Sequence, residues 1–259
     1  MPVALVTGAA RGIGAATVLA LAAGGWRVVA VDRCADDPAL PYSLGTRGEL
    51  DAVVAAAGGD VIAAEADTRD HAALAAAVGR AEQLWGGLDA AIAVAGVIAG
   101  GRPAWEVPLE QQQAVLDIDL GGVLALARAT VPALLRRPPP RSGRFVAVAS
   151  AAASRGLPML AAYCAAKAGV AGFIRALAAE LGGTGVTANA VSPGSTQTAI
   201  LDESARLYEL PGAASFADQQ PLRRLLLPAE VAAVLAFLAG DGSSGMTGAV
   251  VPVDAGLTL

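Results

Sequence analysis

Histidine is all but missing from this chain: among 259 residues there is one, His71, directly after Asp70. A Ser-His-Asp hydrolase needs an imidazole base, so that class survives only if His71 is the one. Its place near a helix start reads instead as a surface or packing position. Cysteine is nearly as scarce. Cys34 and Cys164 are too few for a disulfide framework or a metal site, and no metal is expected. Charge is thin as well, 18 Lys+Arg against 23 Asp+Glu, for a net charge of −5 and no basic cluster. Arg136–Arg137 and Arg223–Arg224 are too short to follow a phosphate backbone, which argues against a nucleic-acid partner. Long uninterrupted apolar runs are lacking too. Arg27, Asp89, Arg128 and Arg155 break them before a span of about twenty residues, so no membrane segment is expected. MPVALVTG carries no basic leader, and the cytoplasm is the expected compartment.

What is present is alanine, glycine and short apolar runs, with no shift in composition along the chain. One α/β domain over 1–259 follows. Val3–Thr7 reads as a strand, followed by Gly8, Gly12 and Gly14 in TGAARGIG. A helix then runs to about Ala23, stopped by Gly24–Gly25, and Arg27–Asp32 is a second buried strand. Strand, glycine turn, helix and strand form a right-handed crossover whose glycines let backbone approach a pyrophosphate at the helix N-terminus. Asp32 then selects NAD over NADP. It can accept hydrogen bonds from the ribose hydroxyls, whereas a 2′-phosphate about 4 Å away would meet roughly 4 kcal/mol of repulsion at an effective dielectric near 20. Arg33 and Arg11 are the residues that could soften this.

A direct strand-to-helix turn needs about two to six residues. The stretch from about 33 to 49, with Pro38, Pro41 and Tyr42, is longer and reads as an insertion beside the adenosine end of the cofactor. Further on, helices are expected at Leu50–Ala57, Thr68–Leu84, Leu109–Leu135, Leu157–Leu181 and Pro228–Ala239. Strands are expected at Asp60–Ala64, Leu88–Val94, Gly143–Ser150, Val186–Val191 and Ala249–Val253. The stretch of about 194–227 reads as an irregular loop of a length typical of a lid. Tyr163 and Lys167, four apart, share one helix face, and the ammonium favours the phenolate. Ser150 closes the strand before them. Such a trio suits the handling of an alcohol or carbonyl oxygen.

These pieces together resemble the short-chain dehydrogenase/reductase family over essentially the whole chain. The matched motifs are Thr7–Gly14, Asp32, Asp67, Ala95–Gly96, Ser150, Tyr163–Lys167, Asn189–Gly194, Thr198 and Val253–Gly256. The resemblance implies a Rossmann-type doubly wound parallel seven-stranded sheet with helices on both faces. It implies Tyr163 as acid/base, Lys167 lowering its pKa and holding the nicotinamide ribose, and Ser150 positioning the substrate oxygen. Gly8, Arg11, Gly12, Ile13 and Gly14 would meet the pyrophosphate, with Asp32 and Arg33 at the ribose. Asp67 with Thr68 would meet the adenine, Ala95 and Gly96 the flat of the cofactor, and Pro193, Gly194, Thr196 and Thr198 its carboxamide end. Family members commonly pair through the two long apolar helices, so a homotetramer is expected.

Two departures stand out. Val94 replaces the usual Asn of Asn-Ala-Gly, and Asp119 stands where the family has a catalytic Asn. Ionised, Asp119 would pair with Lys167, keep the water relay and move the pH optimum upward; the other reading is that it only caps a bulge in its helix. The insertion resembles that of the mycofactocin-associated, carveol dehydrogenase-like branch, which implies a covered, retained NAD and an external peptide-derived electron carrier. Val97, Ile98, Trp105, Ala152, Leu160, Ile200 and Leu201 are expected to line an apolar pocket for an aliphatic, cyclic or terpenoid secondary alcohol or its ketone. The competing readings are a 3-oxoacyl thioester reductase and a catalytically silent NAD-binding sensor or scaffold.

Overall fold

The computed structural model describes residues 1–259. Seven short apolar runs form one all-parallel sheet: β1 (Val3–Thr7), β2 (Arg27–Asp32), β3 (Val61–Glu65), β4 (Ala90–Ala93), β5 (Arg144–Val148), β6 (Thr187–Pro193) and β7 (Val250–Val253). Their order is β3-β2-β1-β4-β5-β6-β7. β1, β4 and β5 are buried at every residue, as parallel strands covered on both faces must be. Side chains alternate between two cores. Val3, Leu5, Ala91 and Phe145 face one layer, made by α3 (His71–Trp85), α5 (Gly122–Arg136) and α6 (Ala161–Glu180). Ala4, Val6, Ile92 and Val146 face the other, made by α1 (Gly12–Ala23), α2 (Arg47–Ala57) and α8 (Pro228–Ala239). The strand order reverses between β1 and β4, which opens a crevice at their carboxyl ends.

Several boundaries differ from those read off the sequence, each for a local reason. α2 starts at Arg47 because Thr46 and Glu49 form a reciprocal capping box, so the insertion ends at Thr46. α3 starts at His71 because the Asp70 carboxylate accepts from the Ala72 and Ala73 N–H groups. His71 itself is exposed and does not line the crevice. α6 starts at Ala161, since Met159 sits at φ 61, a left-handed conformation no helix tolerates.

Two differences are larger. The stretch expected as one helix from Leu109 to Leu135 is α4 (Leu109–Leu116), a π-helical turn at Asp117–Gly121, and α5. The loop after β6 contains a further helix, α7 (Ala199–Leu207), capped by the Thr198 hydroxyl, and a 3-10 stretch at Ala213–Gln219. The helical run Leu109–Arg136 and α6 are each long and apolar enough to cross a membrane, against expectation; both lay an apolar side on the sheet, where Leu126, Leu134, Val170 and Ile174 are fully buried.

Phe145 is wholly buried at the centre of the sheet. Phe145→Ala is expected to cost about 3–5 kcal/mol, read as a lower midpoint in denaturant unfolding with an unchanged slope.

Candidate active site

At the carboxyl ends of β1, β4 and β5 lies a cleft of about 600 Å³ that runs from the glycine turn to Tyr163. Gly8, at φ 67, lies against Ala95, where an added Cβ would come within 2.8 Å of backbone atoms. Gly14 lies equally tightly on the Gly8 carbonyl. Gly12, at φ 58, opens α1 and faces the Thr198 methyl across the cleft at 3.3 Å from where its Cβ would be. No side chain caps the first N–H groups of α1, so that end presents donors and a positive dipole end to the cleft. The bare backbone cradle and free donors fit a pyrophosphate. Arg11 and Ile13 line the same wall.

At the far end of β2 the Asp32 carboxylate accepts from the Ala10 N–H at 2.9 Å and the Cys34 N–H at 3.3 Å. The arginines that could have met a 2′-phosphate are both engaged. Arg33 pairs with Asp37 at 2.7 Å and Asp67 at 3.2 Å. Arg11 donates to the Ser43 carbonyl at 2.8 Å. Asp67 lines the cleft, but Arg69 grips it at 2.7 Å and reaches on to Asp37 at 2.8 Å. Burial works against the Asp67 charge, yet Arg69 and Arg33 hold its carboxyl below the usual range. Thr68 lines the cleft with it and packs its side chain on Gly122, where no Cβ would fit.

The insertion does more than flank the adenosine end. From the Asp37 anchor it crosses the glycine turn at Ser43 and buries Leu40 among Val97, Ala99, Val115 and Ile118. Tyr42 reaches further still, where its hydroxyl oxygen accepts the Ile98 N–H at 2.8 Å. Burial pushes this phenol up, so it stays protonated. Tyr42 was not among the expected site residues; the one signal for it was the apolar alternation Leu40, Tyr42, Leu44 inside an otherwise polar loop.

The chemistry sits on three elements. Ser150 lies two residues past the end of β5, where it caps the 3-10 turn Ala151–Ala153, its Oγ accepting from the Ala152 N–H at 3.2 Å. Half-buried Tyr163 and buried Lys167 come one turn apart on α6, with the ammonium 5.6 Å from the phenol ring centre. Lys167 Nζ donates to the Val148 carbonyl at 3.2 Å. Asp119, fully buried, comes in from the π turn: its Oδ1 accepts the Val97 N–H at 2.8 Å, and its Oδ2 lies 3.2 Å from Lys167 Nζ. Asp119 therefore occupies a helical bulge and also pairs with the lysine, so it does more than cap the bulge. Gly96 fits over the pair, where a Cβ would lie 3.3 Å from Nζ.

Burial raises the Asp119 carboxyl above its ordinary value, with Lys167 opposing. Burial works against the Lys167 charge, but Asp119 and Tyr163 together outweigh it and keep the ammonium protonated. Tyr163 is raised by burial and by Asp119, while Lys167 and a hydrogen bond from Ser150 pull it down. The net direction is upward, opposite to what the lysine alone would give.

At the remaining end Val97, Ile98, Ala152, Leu160, Ile200 and Leu201 line the cleft together with Tyr208 and Phe216. Pro193, Gly194, Thr196 and Thr198 complete the wall beside α7. Trp105 does not join them. Its loop turns outward at Gly100 and Gly101, both at positive φ, and leaves the indole 84% exposed. Arg155 is at the mouth and donates to the Leu257 carbonyl at 3.0 Å.

Removing the Tyr42 hydroxyl would strand the Ile98 N–H. Tyr42→Phe is expected to lower stability by about 1–3 kcal/mol, measured by urea unfolding, and an unchanged midpoint would show that this bond holds nothing.

The sequence profile described as enoyl-(acyl carrier protein) reductase matches residues 8–258. An uncharacterized NAD-dependent oxidoreductase of Mycobacterium tuberculosis is 35% identical over 263 residues, covering 98% of this chain and 94% of the relative. A 3-oxoacyl-[acyl-carrier-protein] reductase of Synechocystis is 36% identical over 261 residues, covering 99% and 97%. Among solved structures, carveol dehydrogenase from Mycobacterium avium in complex with NAD superposes with a TM-score of 0.93 at 33% identity, over 99% of this chain and 97% of that one.

Proposed function

The chain belongs to the short-chain dehydrogenase/reductase family, and on that premise we propose that it interconverts an apolar secondary alcohol and its ketone, with NAD preferred over NADP. The observation that carries the reading is the meeting of Ser150, Tyr163 and Lys167 at one end of a cleft whose other end is a bare glycine cradle. The glycine turn, Asp32 and the wall from Pro193 to Thr198 would hold the dinucleotide. When bound there, NAD supplies the hydride acceptor for the alcohol carbon, and NADH the donor for the reverse.

The chain's own groups handle the oxygen and its proton. Tyr163 as phenolate takes the hydroxyl proton on its Oη during oxidation and returns it during reduction. Ser150 donates a hydrogen bond to the substrate oxygen and keeps it facing the phenol. Lys167, held by the Val148 carbonyl, keeps a positive charge beside the phenolate. Val97, Ile98, Ala152, Leu160, Ile200 and Leu201 exclude water and favour an aliphatic, cyclic or terpenoid body. Asp32 disfavours a 2′-phosphate, and neither Arg33 nor Arg11 is free to compensate.

The insertion gives this reading a finer form. Tied at Asp37, Ser43 and Tyr42, it lies over the cleft and would hold NAD between turnovers, with electrons passing to an external acceptor of the mycofactocin type. Leu109 and Leu124, exposed at 75% and 41% on the α4–α5 face, support assembly into a homotetramer. The two unpaired cysteines suit the cytoplasm.

Heating the purified protein should release NAD rather than NADP, identified by chromatography; NADP in the supernatant would overturn the cofactor preference. Turnover of cyclic secondary alcohols with an artificial electron acceptor should fall about 10²–10⁴-fold in Tyr163→Phe. A preference for 3-oxoacyl thioesters with NADPH would favour the activity of the Synechocystis relative, and no Tyr163-dependent turnover at all would leave a binding protein.

A further inference from the structure

We infer that Asp119 is a positioning residue that sets the working pH of Tyr163: its carboxylate holds Lys167 in a buried ion pair, so the phenol gives up its proton only in alkaline solution. The geometry supports a charged pair rather than a neutral one. Asp119 Oδ1 receives the Val97 N–H at 2.8 Å, a contact that favours the carboxylate. Lys167 Nζ donates to the Val148 carbonyl at 3.2 Å, a contact that favours the ammonium. Between them Oδ2 and Nζ stand 3.2 Å apart, both residues almost wholly excluded from solvent. Oδ2 makes no well-aligned hydrogen bond, so its charge is met by the lysine alone.

The groups around the phenol are few. On its own helix Tyr163 faces Lys167 and Cys164; from the π turn it faces Asp119; from the end of β5 it receives Ser150. Asp119 in turn faces Lys167 and, from the insertion, the Tyr42 phenol, which also feels Glu203 of α7 and Arg11. Lys167 is therefore the cation that acts on the phenol, and Asp119 opposes it. The sign follows directly. A negative charge near the phenol favours its protonated form, so the base form appears at higher pH with Asp119 than without it. At an effective dielectric near 20 a unit charge within about 10 Å is worth more than about one pH unit.

The π turn is what makes this arrangement available. It inserts one extra residue between α4 and α5, and Asp119 lies within it, turned to both the Val97 N–H and Lys167. Gly96 completes the fit, because a side chain there would press on both charges.

The test reads the phenol directly and needs no substrate. The chain has three tyrosines, Tyr42, Tyr163 and Tyr208, so tyrosinate absorbance can be followed against pH and the Tyr163 contribution taken as the difference from Tyr163→Phe. In the unaltered protein Tyr163 should titrate above the ordinary phenol value. Asp119→Asn, which retains an acceptor for the Val97 N–H, should lower the Tyr163 midpoint by about one unit or more. Asp119→Ala should lower it too, and serves if the Asn variant does not fold. A Tyr163 midpoint below the ordinary phenol value in the unaltered protein, or one that neither variant moves, overturns the inference. Its kinetic consequence rests on the proposed alcohol oxidation: the acidic limb of kcat/KM should move down in Asp119→Asn by the same amount as the absorbance midpoint. A midpoint that moves in a protein that oxidises no alcohol would sink the proposed function and leave the inference standing.

Discussion

The structure turns on an ammonium that has to be buried. Lys167 lies under Gly96 against the end of β5, where withdrawing an unpaired cation from water costs several kcal/mol. Two groups offset that cost, the Val148 carbonyl at the strand end and the Asp119 carboxylate on the π turn. Much of the local sequence answers to this one constraint. Ala95 and Gly96 are small because the glycine turn presses on one side of them and the ion pair on the other. The long helix yields its regular ladder at Asp117–Gly121, beside the pair. Val97, which starts the wall of the apolar pocket, is fixed by the same carboxylate that meets the lysine. The charge that tunes the phenol and the backbone that shapes the pocket are thus held by one side chain.

The second constraint acts on the insertion. A loop of this length, rich in Pro and Asp, has little local reason to be ordered, and fixing its backbone costs about 1–2 kcal/mol per residue. What orders it is a set of contacts spread along it: the ring of Arg33, Asp37, Arg69 and Asp67 at its start, Ser43 over the glycine turn, and Leu40 and Tyr42 in the far wall. Gly45 lets it pass closely over Asp32, where a Cβ would lie 3.1 Å from the carboxylate. Leu40 and Tyr42 share a small core with Ile118 and with Tyr163, so the insertion and α6 are packed against common neighbours.

The sequence displayed most of the architecture because the signals were local and redundant. Each of the seven strands is an apolar run bounded by turn residues, and TGAARGIG between two of them admits few other readings. Tyr163 and Lys167 were legible from their spacing read together with the glycine turn after the first strand, and the structure brings them together with Ser150. What was not legible was long-range. Nothing in LDIDLGGVL shows a π turn, because its cause lies at Val97 and Lys167. Trp105 looked like a pocket residue from its apolar character and position, yet positive φ at Gly100 and Gly101 carries it outward. Tyr42 was legible only as part of an insertion beside the adenosine end, yet its partner is 56 residues away. α7 was hidden by a mixed composition that only makes sense once Leu201 and Ala205 are seen packing on Phe216.

The cleft therefore carries two kinds of wall with opposite tolerance for change. At the adenosine end every charged group already has a partner within the protein: Arg33 and Arg69 share Asp37 and Asp67, and Asp32 holds two backbone N–H groups. A ligand arriving there competes for groups already engaged, so it must match the pattern of those oxygens and donors. At the substrate end the walls are apolar and Arg155 at the mouth is the one charge beyond the catalytic pair. Apolar walls discriminate by volume, and a methylene more or less is worth only about 1–3 kcal/mol. Strict recognition of a dinucleotide combined with loose recognition of an apolar substrate is what such a division produces, and under the proposed alcohol oxidation it places substrate selectivity in α7 and the Val97–Ile98 wall rather than in Ser150, Tyr163 and Lys167.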